Sequence, residues 1–369
     1  MKKKINFNII RNIRYFIFYL FYGKIKKTIK AKNNKKISIK KIKFNNSIFY
    51  NFYNIKNGRL FTNTVDDTAY IIEKYLIDEP SFQYRFRNNK IVNAKISDNF
   101  VISNGTPKFI KKINGTVFSL LTGGAGKNNY WHWIFDVLPR IGILEKSKLN
   151  KPPDYYLIPS KIKDYQIQSL SILGIPNKKL IDGAKQKHIK SNQLIAVDHP
   201  TVFNNNPSKG VINIPHWIIL WLRKKYLKKK LNNSKFPKKF YIDRSKDSNT
   251  NSRNIVNNDE VKKLLQKYGF KSITLSQYNF IDQVKLFNNA KIIVGLHGAG
   301  FANMVFSKPK TKIIEIKTLN NGSAILNLAK KCKLDYNNII EKNINNSLMY
   351  QNSHIKVSLI KLDKIIKSF

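Results

Sequence analysis

The chain has 369 residues, 42% of them hydrophobic, which is long enough for two domains with real cores and too apolar for a disordered polymer. Its 68 Lys and Arg against 21 Asp and Glu leave a formal charge of +47, which draws a protein to polyanions: nucleic acid, anionic headgroups or phosphorylated substrates. Lys, Asn and Ile dominate throughout, so a chain-wide compositional bias accounts for the charge equally well. The lysines are not gathered on one element with aromatics interleaved, as nucleic-acid readers require. The single cysteine, Cys332, excludes an intramolecular disulfide framework and a Cys-rich metal site, and reads as a small buried residue of a helix.

Residues 1–45 form a basic N-terminal arm. It opens Met1-Lys2-Lys3-Lys4 and carries the apolar run Tyr15–Tyr22. That run is too short for a bilayer span of about 20 residues, and no small-residue cleavage site follows it. Two readings stand: a peripheral anchor in the headgroup layer of an anionic membrane, or a first helix packed on the domain core. From Ser47 to Phe109 a loose alternation suggests short strands and loops. Asp66-Asp67 is the adjacent acidic pair of this region, and Asp-x-Asp, which would hold a diphosphate through a divalent ion, occurs nowhere in the chain. Val117–Leu121 reads as a strand. Gly123-Gly124-Ala125-Gly126-Lys127 mimics a P-loop, but the first glycine is misplaced and Asn128 follows the lysine, so it reads as a flexible turn.

Tyr130–Arg140 then reads as a helix. His132 and Asp136, four apart, share a face that Arg140 would continue, although Pro139 should kink or end the helix there. Trp131, Trp133, Phe135 and Leu138 flank the face and would desolvate it, perturbing its pKa values. An amphipathic helix with a polar outer face explains the same pattern. Asp154–Ile158 and Leu194–Val197 are strands, Lys161–Leu173 and Pro215–Leu231 helices. Asn232–Pro237 is the linker that closes an N-terminal domain of residues 46–232.

Residues 237–340 alternate more cleanly. Strands at Lys239–Asp243, Ser272–Leu275, Ile292–Leu296 and Lys312–Ile316 are interleaved with helices at Asp259–Tyr268, Phe280–Asn289, from Gly300, and Ser323–Cys332. That alternation predicts a parallel, doubly wound sheet. Ile292–Asn303 runs from a buried strand through Gly295, Gly298 and Gly300 into a helix start, the form of a phosphate cradle with His297 at the carboxyl end of the strand. A tight turn that merely needs glycine fits as well. Residues 341–369 end in a helical segment expected to pack back on the first domain. His188, His199, His216 and His354 have no partner at catalytic or metal spacing and read as structural or surface residues; no metal site is expected.

Three blocks in order carry a resemblance: Trp131–Arg140, with His132, Trp133, Asp136, Leu138, Pro139 and Arg140; Tyr241, Ile242 and Arg244; and Gly295–Asn303 followed by the Ile313–Ile316 strand with Glu315. Together these resemble glycosyltransferase family 61, the capsular polysaccharide biosynthesis proteins. The N-terminal third matches no feature of that family, and around Asp243-Arg244-Ser245 the match holds only at Tyr241, Ile242 and Arg244.

The resemblance implies an α/β fold of two Rossmann-like domains facing a cleft (GT-B type), the donor on the C-terminal half and the acceptor on the N-terminal half. It implies inverting transfer of a sugar from a nucleotide-sugar donor to an oligosaccharide or lipid-linked saccharide in cell-surface polysaccharide biosynthesis. The setting is cytoplasmic, peripheral on the inner membrane face. The reaction needs a general base for the acceptor hydroxyl and stabilisation of the leaving diphosphate. Asp136 is the expected base, with His132 orienting or replacing it, and Arg140 holds acceptor or fixes Asp136. Arg244, His297, and the backbone of Gly298, Ala299 and Gly300 to Asn303 are expected on the phosphates, with Arg253 as a second arginine and Glu315 on a ribose or sugar hydroxyl. Basic side chains stand in for a metal, so no cofactor is expected, and no nucleic acid partner. The alternative is a non-catalytic basic protein that binds polyanions, nucleic acid or anionic lipid.

Overall fold

The computed structural model describes residues 2–63, 68–83, 86–87, 90–91, 94–103, 109–121, 129–160, 163–201, 210, 212–227, 235–245, 253–344 and 354–369. Asp66-Asp67 and the Gly123–Lys127 turn lie outside them. The chain divides into two compact units, Met1–Val211 and Ile212–Phe369. The division falls before the Asn232–Pro237 segment expected as the linker, so the Trp-rich helix that precedes that segment belongs to the second unit.

The first unit opens with the helix α1 (Lys2–Tyr22). It then builds one ten-stranded sheet from β1 (Lys27–Ile29), β2 (Ile37–Lys43), β3 (Phe49–Lys56), β4 (Arg59–Thr62), β5 (Thr68–Ile72), β6 (Tyr75–Ile77), β7 (Lys111–Ser119), β8 (Tyr155–Ile158), β9 (Leu180–Asp182) and β10 (His188–Val197). Along the sheet the order is β1-β6-β5-β4-β10-β7-β8-β9, with β3 also on β10 and β2 on β3. The β10-β7-β8-β9 half is parallel, as the strand–helix alternation predicts. The other half departs from a purely parallel sheet: β2–β3, β4–β5 and β5–β6 are each joined by a short connection and pair antiparallel. The first part of that loose alternation, from Phe49 to Ile77, therefore supplies four strands of the main sheet, and β4 and β5 are buried along their whole length. The long central strand β10 pairs with β4 and β3 on one side and β7 on the other, burying Ile189, Leu194 and Ala196 with Leu60, Val117 and Leu157.

The second unit is all-parallel in its sheet. The helix α5 (His216–Tyr226) precedes β11 (Lys239–Ile242), α6 (Asn258–Lys267), β12 (Lys271–Ile273), α7 (Phe280–Asn289), β13 (Ile292–Leu296), β14 (Lys312–Lys317), α8 (Ala324–Lys331), β15 (Asp335–Ile340) and α9 (Leu359–Lys367). The strand order is β12-β11-β13-β14-β15, every pair parallel. The chain starts in the middle, steps out to β12, then returns past β11 to β13. The order therefore reverses between β11 and β13, where sheets of this kind bind ligands beyond the carboxyl ends of their strands. Cys332 is buried at the end of α8, and burial raises its thiol to about 11. The last helix, expected to pack back on the first domain, is part of the second unit. Leu362 and Ile366 of α9 pack with Val261, Leu265 and Val294 inside this unit.

Candidate active site

Each unit gathers a cluster of polar side chains, and both begin at residues the sequence singles out. In the first unit the helix runs in three pieces: an α-turn Tyr130–His132, a π-turn Trp133–Val137, and α3 below. We label the first α2 and the last, Pro139–Lys146, α3. Asn129 caps α2, its side-chain oxygen accepting from Trp131 N at 3.0 Å. Pro139 neither ends nor breaks the helix. A proline cannot donate to the carbonyl four residues back, and here the widened turn precedes it: Leu138 N donates to Trp133 O, five residues back, at 3.0 Å. Proline then takes the first position of α3, where its missing N–H costs nothing. Trp133 Nε1 donates at 3.0 Å to Ser169 Oγ of the helix α4 (Asp164–Ile172), which pins the π-turn.

On this helix His132 Nδ1 lies 2.5 Å from Asp136 Oδ2. The other carboxylate oxygen, Oδ1, accepts from Thr201 Oγ1 at 2.8 Å. His199 sits 4.0 Å from Asp136 through Nε2, and its Nδ1 accepts from Thr201 N at 3.3 Å. His199 and Thr201 come from the segment that leaves the carboxyl end of β10. Gly210 backs that segment so closely that any Cβ there would overlap the Thr201 carbonyl.

The electrostatics follow from burial. Asp136 is 2% exposed. Burial alone would raise its carboxyl; the imidazoles of His199 and His132 and the bonds from His132 and Thr201 outweigh it and hold the group below its usual range. Burial drives His199 down to about 3, so it is neutral at physiological pH. Burial also pulls His132 down, but the Asp136 carboxylate more than compensates and raises it. His132 keeps an exposed edge, at 18%, where Asp136 has almost none. An ionised carboxylate only accepts, so His132 Nδ1 is assigned the proton and Nε2 is the atom left to take one.

Arg140 is fully buried. It donates to Val197 O at 3.2 Å and to Gln83 Oε1 at 2.8 Å, and Gln83 Nε2 donates to the same carbonyl at 2.8 Å. It thus ties α3 to the end of β10 and braces the segment that carries His199 and Thr201.

In the second unit the cluster lies at the reversal of strand order. Arg244 follows β11 and His297 follows β13. Gly298 is the point of closest approach: a Cβ there would stand 3.2 Å from Arg244 Nη1, so the guanidinium rests against the bare turn. Arg253 Nη1 donates to His297 O at 3.0 Å. Burial lowers the Arg253 guanidinium, and the Arg244 charge lowers it further. Two arginines are therefore held at one glycine turn. His297 Nδ1 bonds Glu315 Oε1, and Tyr336 donates its hydroxyl to Glu315 Oε2. Glu315 is fully buried on β14, so its carboxylate serves His297 and Tyr336 from beneath. Burial and the Glu315 charge push the Tyr336 hydroxyl up.

The short helix expected from Gly300 is a 3-10 helix, Ala299–Phe306. Gly298, Ala299 and Gly300 form the turn into it. Asn303 is buried and donates to Gln283 Oε1 at 3.0 Å and Gly300 O at 3.3 Å, bracing the turn from inside. Arg223 of α5 donates to Val305 O and Ser307 O, both at 2.7 Å, and holds the far end. Asp243 accepts from Ser245 N at 2.9 Å and faces Lys262 Nζ at 3.0 Å, which sets the turn that carries Arg244.

The structure thus brings together His132 and Asp136, and separately Arg244, Arg253, His297, Gly298 and Glu315. Sequence reasoning missed Thr201, His199 and Tyr336. Among the described residues no group of three or more His, Cys, Asp and Glu is arranged to hold a metal ion.

The family model described as Glycosyltransferase 61 matches residues 130–314, half of the chain, and takes in both the His132–Asp136 helix and the Arg244–His297 turn. The xylan glycosyltransferase MUCI21 of Arabidopsis thaliana is 35% identical over 97 residues, 24% of this chain and 20% of that protein. The match therefore spans about a fifth of the length of that curated relative. With His132, Asp136, Arg244, Arg253 and His297 all inside the matched half, the chain belongs to the glycosyltransferase 61 family.

Proposed function

We propose that the protein is an inverting glycosyltransferase that moves a sugar from a nucleotide-sugar donor to a saccharide acceptor in cell-surface polysaccharide biosynthesis. The second unit is the donor side and the first the acceptor side, the division of a GT-B enzyme. The observation that carries the reading is the pair of guanidiniums, Arg244 and Arg253, gathered with His297 on the Gly298 turn, at the strand-order reversal of a parallel sheet. Such a site suits a diphosphate: the arginines offer planar, charge-assisted donors, and the glycine lets the ligand approach the backbone. These charges take the place of a divalent metal in stabilising the leaving group. Glu315 fixes the His297 ring so that Nε2 is available to a phosphate oxygen.

On the acceptor side the geometry favours His132 over Asp136 as the general base. Both Asp136 oxygens are already engaged, by His132 and Thr201. A carboxylate held low is a weak base, whereas the Asp136 carboxylate raises the His132 imidazole and makes it the stronger base of the two. In this scheme His132 Nε2 takes the proton of the acceptor hydroxyl as the hydroxyl oxygen attacks the anomeric carbon. The bond to the nucleoside diphosphate breaks, and Asp136 stabilises the imidazolium that forms. Attack opposite the leaving group inverts the anomeric centre.

The experiment is to incubate the full chain with a panel of nucleotide sugars and saccharide acceptors, following nucleoside diphosphate release and the product anomer by NMR. Transfer with inversion supports the reading; retention of configuration overturns the mechanism. Absence of transfer from every donor, together with nucleotide-independent binding to polyanions, favours the basic binding protein.

A further inference from the structure

The helix α1 has two apolar faces and only one of them is covered. Its Phe18 is buried, stacked on Phe61 at 5.7 Å and His188 at 6.0 Å, and Tyr22 meets His188 edge-on at 4.8 Å. The Arg59 guanidinium lies 5.7 Å from the Tyr22 ring. This face fixes the helix to the first unit. Ile9, Ile13, Phe16 and Leu20, spaced four, three and four residues apart, form a stripe along the opposite side. All four are exposed, from 51% at Ile9 to 64% at Leu20. Ile10 and Phe21 widen the stripe, and Phe109, at 82% exposure, meets Phe21 edge-on at 5.7 Å. A continuous apolar face of this kind on a charged protein marks a contact surface.

Charge selects the occupant. No Asp or Glu occurs before Asp66, whereas Lys2, Lys3, Lys4, Arg11, Arg14, Lys24, Lys26 and Lys27 lie on or just beyond the helix. A second copy would bring another +47 to the same place. An anionic bilayer surface offers the opposite charge together with an acyl boundary for the apolar stripe. A helix bound to the protein along one side has the geometry to lie in a membrane plane. Among the described residues no helix is long and apolar enough to cross a membrane. We propose that α1 is a membrane-surface helix: Ile9, Ile13, Phe16 and Leu20 enter the headgroup layer of an anionic bilayer while Phe18 and Tyr22 hold the helix to the protein. The two readings of the N-terminal run in the sequence then describe its two faces.

The test uses the full chain in flotation with vesicles of phosphatidylcholine alone and of equal parts phosphatidylcholine and phosphatidylglycerol. The comparison protein carries Ile13→Ser, Phe16→Ser and Leu20→Ser. These side chains are exposed, so circular dichroism and the melting temperature should match the parent. The proposal expects binding to the anionic vesicles, weaker binding to phosphatidylcholine, and at least a roughly tenfold loss of partitioning in the variant. Binding that survives the three substitutions would mean that charge alone attracts the protein, and the helix assignment fails. It also fails if vesicles are not bound, or if the parent dimerises in solution through the stripe and the variant does not.

Discussion

His132 and Asp136 stand one helical turn apart, joined Nδ1 to Oδ2 at 2.5 Å, and only the histidine keeps an edge exposed. That asymmetry is the basis of the roles proposed for the two groups. In the proposed reaction the buried carboxylate orients the ring and raises its basicity, and the ring exchanges the proton.

A pH–rate profile reads this directly. The base must be neutral, so activity should rise with pH through a pKa above the ordinary 6.5 of histidine. In Asp136→Asn the raising charge is gone while burial remains, so the acidic limb should move to lower pH. The maximal rate should fall by about 10²- to 10⁴-fold. An unmoved limb would separate Asp136 from the titrating group.

Stability should respond to pH through the same cluster. His199 is held at about 3 when folded against 6.5 when unfolded, so the unfolded chain takes up a proton first as pH falls. Stability is then lost between about 6.5 and about 3. The lowered Asp136 adds stability present above its unfolded pKa and lost as pH falls through its folded one. Urea melts of the parent and His199→Gln from pH 7 downwards check this; the variant should have the flatter acid limb.

Thr201→Val removes the donor to Asp136 Oδ1 and leaves a buried carboxylate oxygen without that partner. We expect a loss of about 1–3 kcal/mol in chemical denaturation. The acidic limb should shift as Asp136 reorients, while Thr201→Ser restores both.

The helix α1 gives a contrast within one element. Phe18→Ala opens a cavity against Phe61 and should cost about 3 kcal/mol or more in stability. Leu20→Ala, on the bare face, should change stability by less than about 0.5 kcal/mol. Equal effects would mean that both faces are covered.

Much of the second unit was legible because strand–helix alternation is a local pattern. Ile292–Leu296 and Phe280–Asn289 fall where periodicity places them. His132 and Asp136 were legible because four residues are one turn. His199 and Thr201 were not, because sixty-odd residues separate them from Asp136 and only the course of β10 brings them back. Tyr336 joins Glu315 across the parallel β14–β15 pair, a register that composition does not encode. Arg140 illustrates the opposite case. Its spacing marks it as part of the polar face, but the π-turn before Pro139 changes the phase of the helix and the guanidinium packs against Val197.

In the proposed reaction the Gly298 turn is a diphosphate site made by protein charges. The most direct measurement is calorimetric titration of the full chain with nucleoside diphosphates, without divalent metal, repeated for Arg244→Ala, His297→Ala and Gly298→Ala. Selective binding of one nucleotide is expected. Affinity should fall at least about tenfold in Arg244→Ala and in His297→Ala, and less in Gly298→Ala, where the guanidinium need only shift aside. Binding that ignores base identity, survives all three substitutions and falls steeply with salt would contradict it and return the +47 charge to the polyanion reading.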